Sequence, residues 1–205
     1  AYLDLAQRMG VILSHVGSGV IETVSVTTHG ESLEPLLGTI QKQILIDLLS
    51  PHFTSRLNMI NVDSFVKERG IKLEQTADLT ASAVTDSVTV AVKTRDGAHE
   101  VVGEVFLDGK PRIMAINGYQ MNLEPEGPMV LIFNDDQPGV IGLVGTVFGN
   151  NKINIADMML SRRDNTALMV LKLDAEIPAK VLQDLESQKP PIRRVLPVAL
   201  PSITA

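Results

Sequence analysis

Asn134, Asp136, Pro138 and Gly139 cluster in the stretch IFNDDQPGVIGLVGTVFGNNKINIADMML, Ile132 to Leu160, and their types suit the two ends of a zwitterion. Asp136-Gln137-Pro138 reads as a helix start: Pro138 is pre-set for a first turn, and the Asp136 carboxylate can cap free amides. Helix-start amides also offer a place for a carboxylate, while Asn134 and Asp136 offer oxygens to an ammonium group. Amides for one end and acceptors for the other is what an α-amino acid requires. Capping alone is the competing reading of Asp136.

Gly139, Gly142 and Gly145 recur every three residues, so the G-x-G-x-x-G turn that admits a dinucleotide pyrophosphate is absent. No Gly-Lys-Ser/Thr follows, which removes the phosphate loop of nucleotide hydrolases. Glycines at this spacing lie along one side of a helix and each costs roughly 0.5 to 1 kcal/mol relative to alanine. Close packing against a strand or a second subunit is the default explanation, and approach of a small ligand is the other. Catalytic chemistry finds little purchase elsewhere. His15, His29, His52 and His99 fall on separate expected elements with no H-E-x-x-H pair, and no G-x-S-x-G elbow occurs. With no cysteine in the chain, disulfides, thiol catalysis and thiolate metal sites are excluded within it.

The elements that must position these residues follow from length and patterning. At 205 residues, 44% hydrophobic and 20% charged, the chain suits two compact folded units. A net charge of −6 argues against nucleic-acid and anionic-membrane partners, which need a concentrated basic surface. The two basic pairs, Arg162-Arg163 and Arg193-Arg194, read as solvated turns or strand edges. No signal peptide is visible, and the longest apolar-rich run, PLLGTIQKQILIDLL, is broken by Gln41, Lys42 and Gln43, so a soluble, cytoplasmic protein is expected.

Leu3, Ala6, Met9, Leu13 and Val16 predict a helix over 3–16, and VIETVSVTT predicts a strand at about 20–28. Helices are expected at about 33–50, stopped by Pro51, and at 57–69, stopped by Gly70. The turn pairs Asp96-Gly97, Asp108-Gly109 and Asn117-Gly118 predict a meander of hairpins over about 86–124. LEPEGP, Leu123 to Pro128, reads as a linker. Beyond it come a strand at 129–133, a helix at 138–148, strands at 153–160 and 167–173, a helix at 178–188 and a strand at 192–200. This βαββαβ order is the ferredoxin-like arrangement, with two helices on one sheet face and the other left to solvent or a partner. The fold class is therefore α+β, with a mixed α/β N-terminal domain followed by a βαββαβ domain.

LIFNDDQPGVIGLVGTVFGNNKINIADMMLSRRDNTALMVLKLD in that frame resembles an ACT domain, the small module that binds amino acids in enzymes of amino-acid metabolism. YLDLAQRMGVILSHV, LNMINVDSFVKERGIKL and GEVFLDGKPRIMAINGYQMNLE extend the similarity to the C-terminal region of the long-form D-3-phosphoglycerate dehydrogenases, over essentially the whole chain. The resemblance implies a terminal helix of a preceding substrate domain at 1–17, an intervening domain at 18–124, a linker at 125–128 and an ACT domain at 129–205. It also implies that the stripe of the first helix is partly without its partner here.

By the same resemblance, L-serine binds between paired ACT edges as a feedback effector, in a dimer or a tetramer. Asn134 and Asp136 of one subunit would meet Asn154 of the other. Asp136 takes the ammonium, amides around Gly139, Val140 and Ile141 the carboxylate, and Asn154 the hydroxyl or carboxylate, with Pro138 a further effector-binding residue of the same turn. Arg112 is the candidate for a second, anionic site in the intervening domain, where Glu124 would repel a phosphorylated acid. No catalytic or metal residue is implied in this chain. The NAD-binding and catalytic domains would belong to a longer parent oxidising 3-phosphoglycerate. The alternatives are an assembly-only scaffold and the accessory region of an iron–sulfur L-serine dehydratase.

Overall fold

In the computed structural model, residues 1–53, 56–80 and 86–203 are described, so 54–55 and 81–85 of the expected intervening domain and 204–205 of the expected ACT domain lie outside them. The described chain separates into two compact units. One comprises Ala1–Gly118 with Asn122–Pro125, and the other Tyr119–Met121 with the chain from Glu126 onward.

The first unit opens with helix α1 (Tyr2–Val16) and strand β1 (Ile21–His29). A 3₁₀ turn (Glu31–Leu36) precedes helix α2 (Leu37–Leu49), and a second 3₁₀ turn holds Ser50–His52. Helix α3 is Val62–Glu68 and strand β2 is Lys72–Asp78. A meander follows: β3 (Ser87–Thr94), β4 (Gly97–Val105), β5 (Pro111–Ile116) and β6 (Tyr119–Leu123), whose first three residues belong to the second unit. The sheet order is β2-β1-β3-β4-β5-β6, with β2 parallel to β1 and β3 antiparallel to it.

The three expected hairpin turns are present, and Gly109, Asn117 and Gly118 take the positive φ that such turns require. Two helix starts shift for local reasons. Pro35 lies inside the first 3₁₀ turn, where its missing N–H prevents an α start, so α2 begins at Leu37 rather than near 33. Asn58 and Asn61 exchange side-chain hydrogen bonds with each other's backbone, at 2.8 and 3.1 Å, and hold residues before 62 in a turn.

Leu5, Ala6, Met9, Ile12, Leu13 and Val16 of α1 are 0–1% exposed, packed against α2 and β4. The stripe is therefore not orphaned, and only Leu3, 46% exposed, stays outside. Burying it is what anchors the helix, since an isolated helix of this length is marginal in water. Arg8 is buried with it, donating from Nη1 to the Pro125 carbonyl at 2.6 Å and from Nε to Asp4 at 3.0 Å. Gly10 marks the closest approach of the two helices: a Cβ there would lie 2.7 Å from Ile44 O and 2.9 Å from Asp47 Cβ. Gly10→Ala is expected to lower stability. Overpacking against a backbone carbonyl costs about 1 to 3 kcal/mol, against about 1 kcal/mol of gained helix propensity. A fall in the urea midpoint checks it, with Gly145→Ala as the opposite control, because a Cβ at Gly145 meets nothing within 4 Å.

The second unit runs β7 (Gly127–Asp135), α4 (Val140–Asn150), β8 (Ile155–Arg163), β9 (Thr166–Leu173), α5 (Ala179–Glu186) and β10 (Ile192–Leu200). The sheet order β10-β7-β9-β8, antiparallel throughout, is that of the ferredoxin-like βαββαβ fold. Gly127 and Pro128 of the expected linker stand in β7, facing Leu200 and Ala199. Val144 and Phe148 of α4 and Val181 and Leu185 of α5, all 0–1% exposed, cover one face. On the opposite face the Tyr119 ring lies 6.0 Å from Phe133, and its hydroxyl 2.6 Å from Thr166 Oγ1.

Candidate functional site

The end of β7, the turn Asp136–Gly139 and the start of α4 enclose a pocket of about 200 Å³. Asn134, Asp136, Pro138, Gly139, Val140 and Ile141 all line it. Its remaining walls are Gln137, Met169 of β9, and Leu160 and Arg162 of the edge strand β8.

Local physics explains the shape. Gly139 adopts a left-handed conformation (φ 93°), serves as the N-cap of α4, and accepts from Leu143 N at 2.9 Å. No side chain caps this helix, so the amides of its first turn are left for other partners. Two expectations are corrected here. Pro138 lies before the helix rather than in its first turn, and Asp136 does not cap it. The Asp136 side chain turns instead to Arg162, whose Nε and Nη2 both stand 2.9 Å from Oδ1. Its neighbour Asp135 is held by Arg193 in the same way, at 2.6 and 2.5 Å. The two arginine pairs read as solvated turns or edges thus each supply one arm to the acidic turn.

Asn134 is 2% exposed; its Nδ2 donates to Asp135 O at 2.8 Å, and its Oδ1 finds no partner among the described residues. A buried acceptor without a donor carries a desolvation cost of about 1 to 3 kcal/mol, and it stands beside a carboxylate in a pocket wall. Between them, Asn134 and Asp136 leave acceptors for a donor-rich cation, and the α4 amides leave donors for an anion. Leu160 and Met169 add an apolar stretch to the remaining walls.

Asn154 lies elsewhere in this chain. It precedes β8 at the end where Ile155 pairs with Leu173, whereas Arg162 pairs with Ala167 at the pocket end. At about 3.3 Å per residue, Asn154 and Arg162 stand about 26 Å apart along the strand. Its Nδ2 donates to Asp174 Oδ2 at 2.7 Å. One chain cannot bring Asn154 and Asp136 to the same small molecule. Arg112 is 9% exposed, with Nη2 2.6 Å from Glu124 and 3.2 Å from Asp108, so its charge is already met by two carboxylates. Glu124 acts there as a direct partner rather than as a distant repulsion.

Gly142, Gly145 and Gly149 face open space, so packing within the chain does not explain them. Ile141, 48% exposed, lies on the same helix, and Met158 and Leu160 of the edge strand are 41% and 39% exposed.

The first unit has a larger pocket, about 320 Å³, reached by Leu13, Leu49, His52 and Arg69 near the C-terminal ends of α1, α2 and α3. Arg69 stacks on Phe53 and Phe65 at 4.5 and 5.0 Å. Arg69 closes α3, where its charge complements the partial negative end of that helix, which gives it a structural role. His29 forms a nucleophile–base–acid series, with Nε2 3.3 Å from Thr89 Oγ1 and Nδ1 3.2 Å from Asp78. The Asp78 carboxyl is held below its usual range chiefly by the Thr80 hydroxyl and amide, with His29 contributing less. These three groups are neighbours across β2, β1 and β3 and line neither pocket, so they form a cross-strand polar cluster. Among the described residues no metal-holding group of His, Cys, Asp and Glu occurs, and no helix is long and apolar enough to cross a membrane.

Residues 1–117 match the model of the D-3-phosphoglycerate dehydrogenase intervening domain, and residues 129–189 match that of the ACT domain. The chain is 29% identical over 191 residues to D-3-phosphoglycerate dehydrogenase of Synechocystis sp., covering 90% of this chain and 34% of that protein. It is 30% identical over 188 residues to the Archaeoglobus fulgidus enzyme, covering 90% and 36%. The Bacillus subtilis enzyme is 29% identical over 186 residues, covering 90% and 35%. The chain thus spans about a third of the length of the curated relatives it matches. It belongs to the D-3-phosphoglycerate dehydrogenase intervening-domain family, and an ACT domain follows that domain in the same chain.

Proposed function

We propose that this chain is the regulatory and assembly region of a D-3-phosphoglycerate dehydrogenase, binding L-serine between paired ACT domains. One observation carries the reading: the unpartnered Asn134 Oδ1, beside Asp136, in a pocket whose other end is the uncapped start of α4. The serine ammonium supplies donors to Asp136 and Asn134, and its carboxylate meets the amides of Val140 and Ile141. Asn154 belongs to the second copy, because within one chain it lies too far along β8. The exposed glycine face of α4 with Ile141, Met158 and Leu160 supports a self-associating surface.

The parent enzyme would place this region behind NAD-binding and catalytic domains, acting in cytoplasmic serine biosynthesis. Serine binding to the assembled pair would bias those domains, and coupling of equilibrium binding must then run both ways. Linkage gives the experiment. Sedimentation equilibrium of the chain should show association strengthened by L-serine. Asn154→Ala should remove that dependence while leaving association without ligand nearly unchanged. Association indifferent to serine in the unsubstituted chain would favour a scaffold role instead.

A further inference from the structure

The Arg162–Asp136 pair occupies the position that an incoming ammonium would need. We infer that this pair opens on binding in a charge exchange: the ligand ammonium takes Asp136 from Arg162, and the freed guanidinium takes the ligand carboxylate. The inference rests on the amino-acid reading of the pocket and adds a residue that the spacing of the turn did not reveal.

Three observations carry it. First, both arginine contacts converge on one oxygen, Asp136 Oδ1, so the guanidinium is not engaged in the two-oxygen fork that makes such pairs strong. Second, the Arg162 side chain is 68% exposed while Asp136 is 21% exposed, so the cation sits over the carboxylate as a cover rather than as part of the core. Exposed ion pairs contribute little, and separating this one weakens ligand binding by less than about tenfold. Third, Arg162 lies near the end of the edge strand β8, where its long side chain can swing without breaking the sheet.

A ligand carrying both charges restores what the exchange breaks, because each freed group gains a partner. An amine without a carboxylate leaves the guanidinium unpaired, and a carboxylate without an amine finds Asp136 repelling it. Arg162 is thus a specificity-determining residue for the zwitterion. The helix-start amides and Arg162 share the carboxylate, while Val140, Leu160 and Met169 bound the ligand's carbon atoms.

The test titrates the unsubstituted chain and Arg162→Gln with L-serine and with ethanolamine, which keeps the amine and hydroxyl but lacks the carboxylate. Circular dichroism confirms folding of the variant. The exchange predicts opposite changes: serine affinity falls by about tenfold in Arg162→Gln, while ethanolamine affinity holds or rises because its competitor for Asp136 is gone. Arg162→Lys should recover part of the serine affinity. Affinities for both ligands that are unchanged, or that fall together, would overturn the exchange while leaving the amino-acid reading standing. Absence of serine binding in the unsubstituted chain would overturn both.

Discussion

Phe148→Ala is expected to cost the second unit about 3 to 5 kcal/mol, the largest loss of any single substitution considered for it. Phe148 is 0% exposed and is the aromatic member of the cluster formed by Val130, Ile132, Val144, Met169, Leu171 and Leu185. Its ring fills the space between α4, α5 and the sheet, and neighbours on a hydrogen-bonded sheet cannot collapse into the gap. Domains of this size are stable by only about 5 to 10 kcal/mol, so the loss takes much of the reserve. Urea unfolding should show it as an early transition. Phe148→Leu, which keeps most of the volume, should cost less than about 1.5 kcal/mol. Equal behaviour of the two variants would mean that packing around this ring does not organise the unit that carries the pocket.

Asp136→Ala is expected to weaken L-serine binding by about tenfold to a hundredfold, the effect of losing one hydrogen bond to a charged group. The structure makes this a clean test. Asp136 caps no helix, and among the described residues its side chain pairs with the exposed Arg162 alone, so the fold should lose no more than about 1 kcal/mol. Had it been the N-cap of α4, the same substitution would have cost roughly 0.5 to 2 kcal/mol of stability and confounded the reading. Asp136→Asn should fall between the two proteins, keeping an acceptor and losing the charge. Calorimetry and a thermal melt on the same sample separate binding from folding.

The second unit was largely legible in the sequence because its signals are local and agree with one another. Alternation in β9, the apolar stripe of α4 and the turn at Arg163–Thr166 each specify one element, and the βαββαβ order follows from their sequence. The contact on the opposite sheet face was not legible, since the alternation of β7 and β9 says which residues share that face but not that Tyr119 lies against Phe133 and Thr166. Helix starts moved where side chains took over the backbone, as at Asn58 and Asn61, or where a left-handed glycine set the N-cap, as at Gly139. The pocket turn was legible from Asn134 to Ile141 because its residues are contiguous. Arg162 was not, because pairing of β8 with β9 brings it back beside Asp136 from far along the chain. An acidic turn in a chain with only two tight arginine pairs was the available signal, and charge pairing across strands is where it pointed. At Arg112, too, the partners were not legible: Asp108 and Glu124 stand 3.2 and 2.6 Å from its Nη2.

Isothermal titration of the chain with L-serine, alongside D-serine and the variants Asp136→Ala and Asn154→Ala, tests the central claim most directly. Saturable binding that prefers the L enantiomer and is weakened in both variants is the predicted result. An absence of heat at millimolar L-serine from a folded, self-associated chain would contradict it.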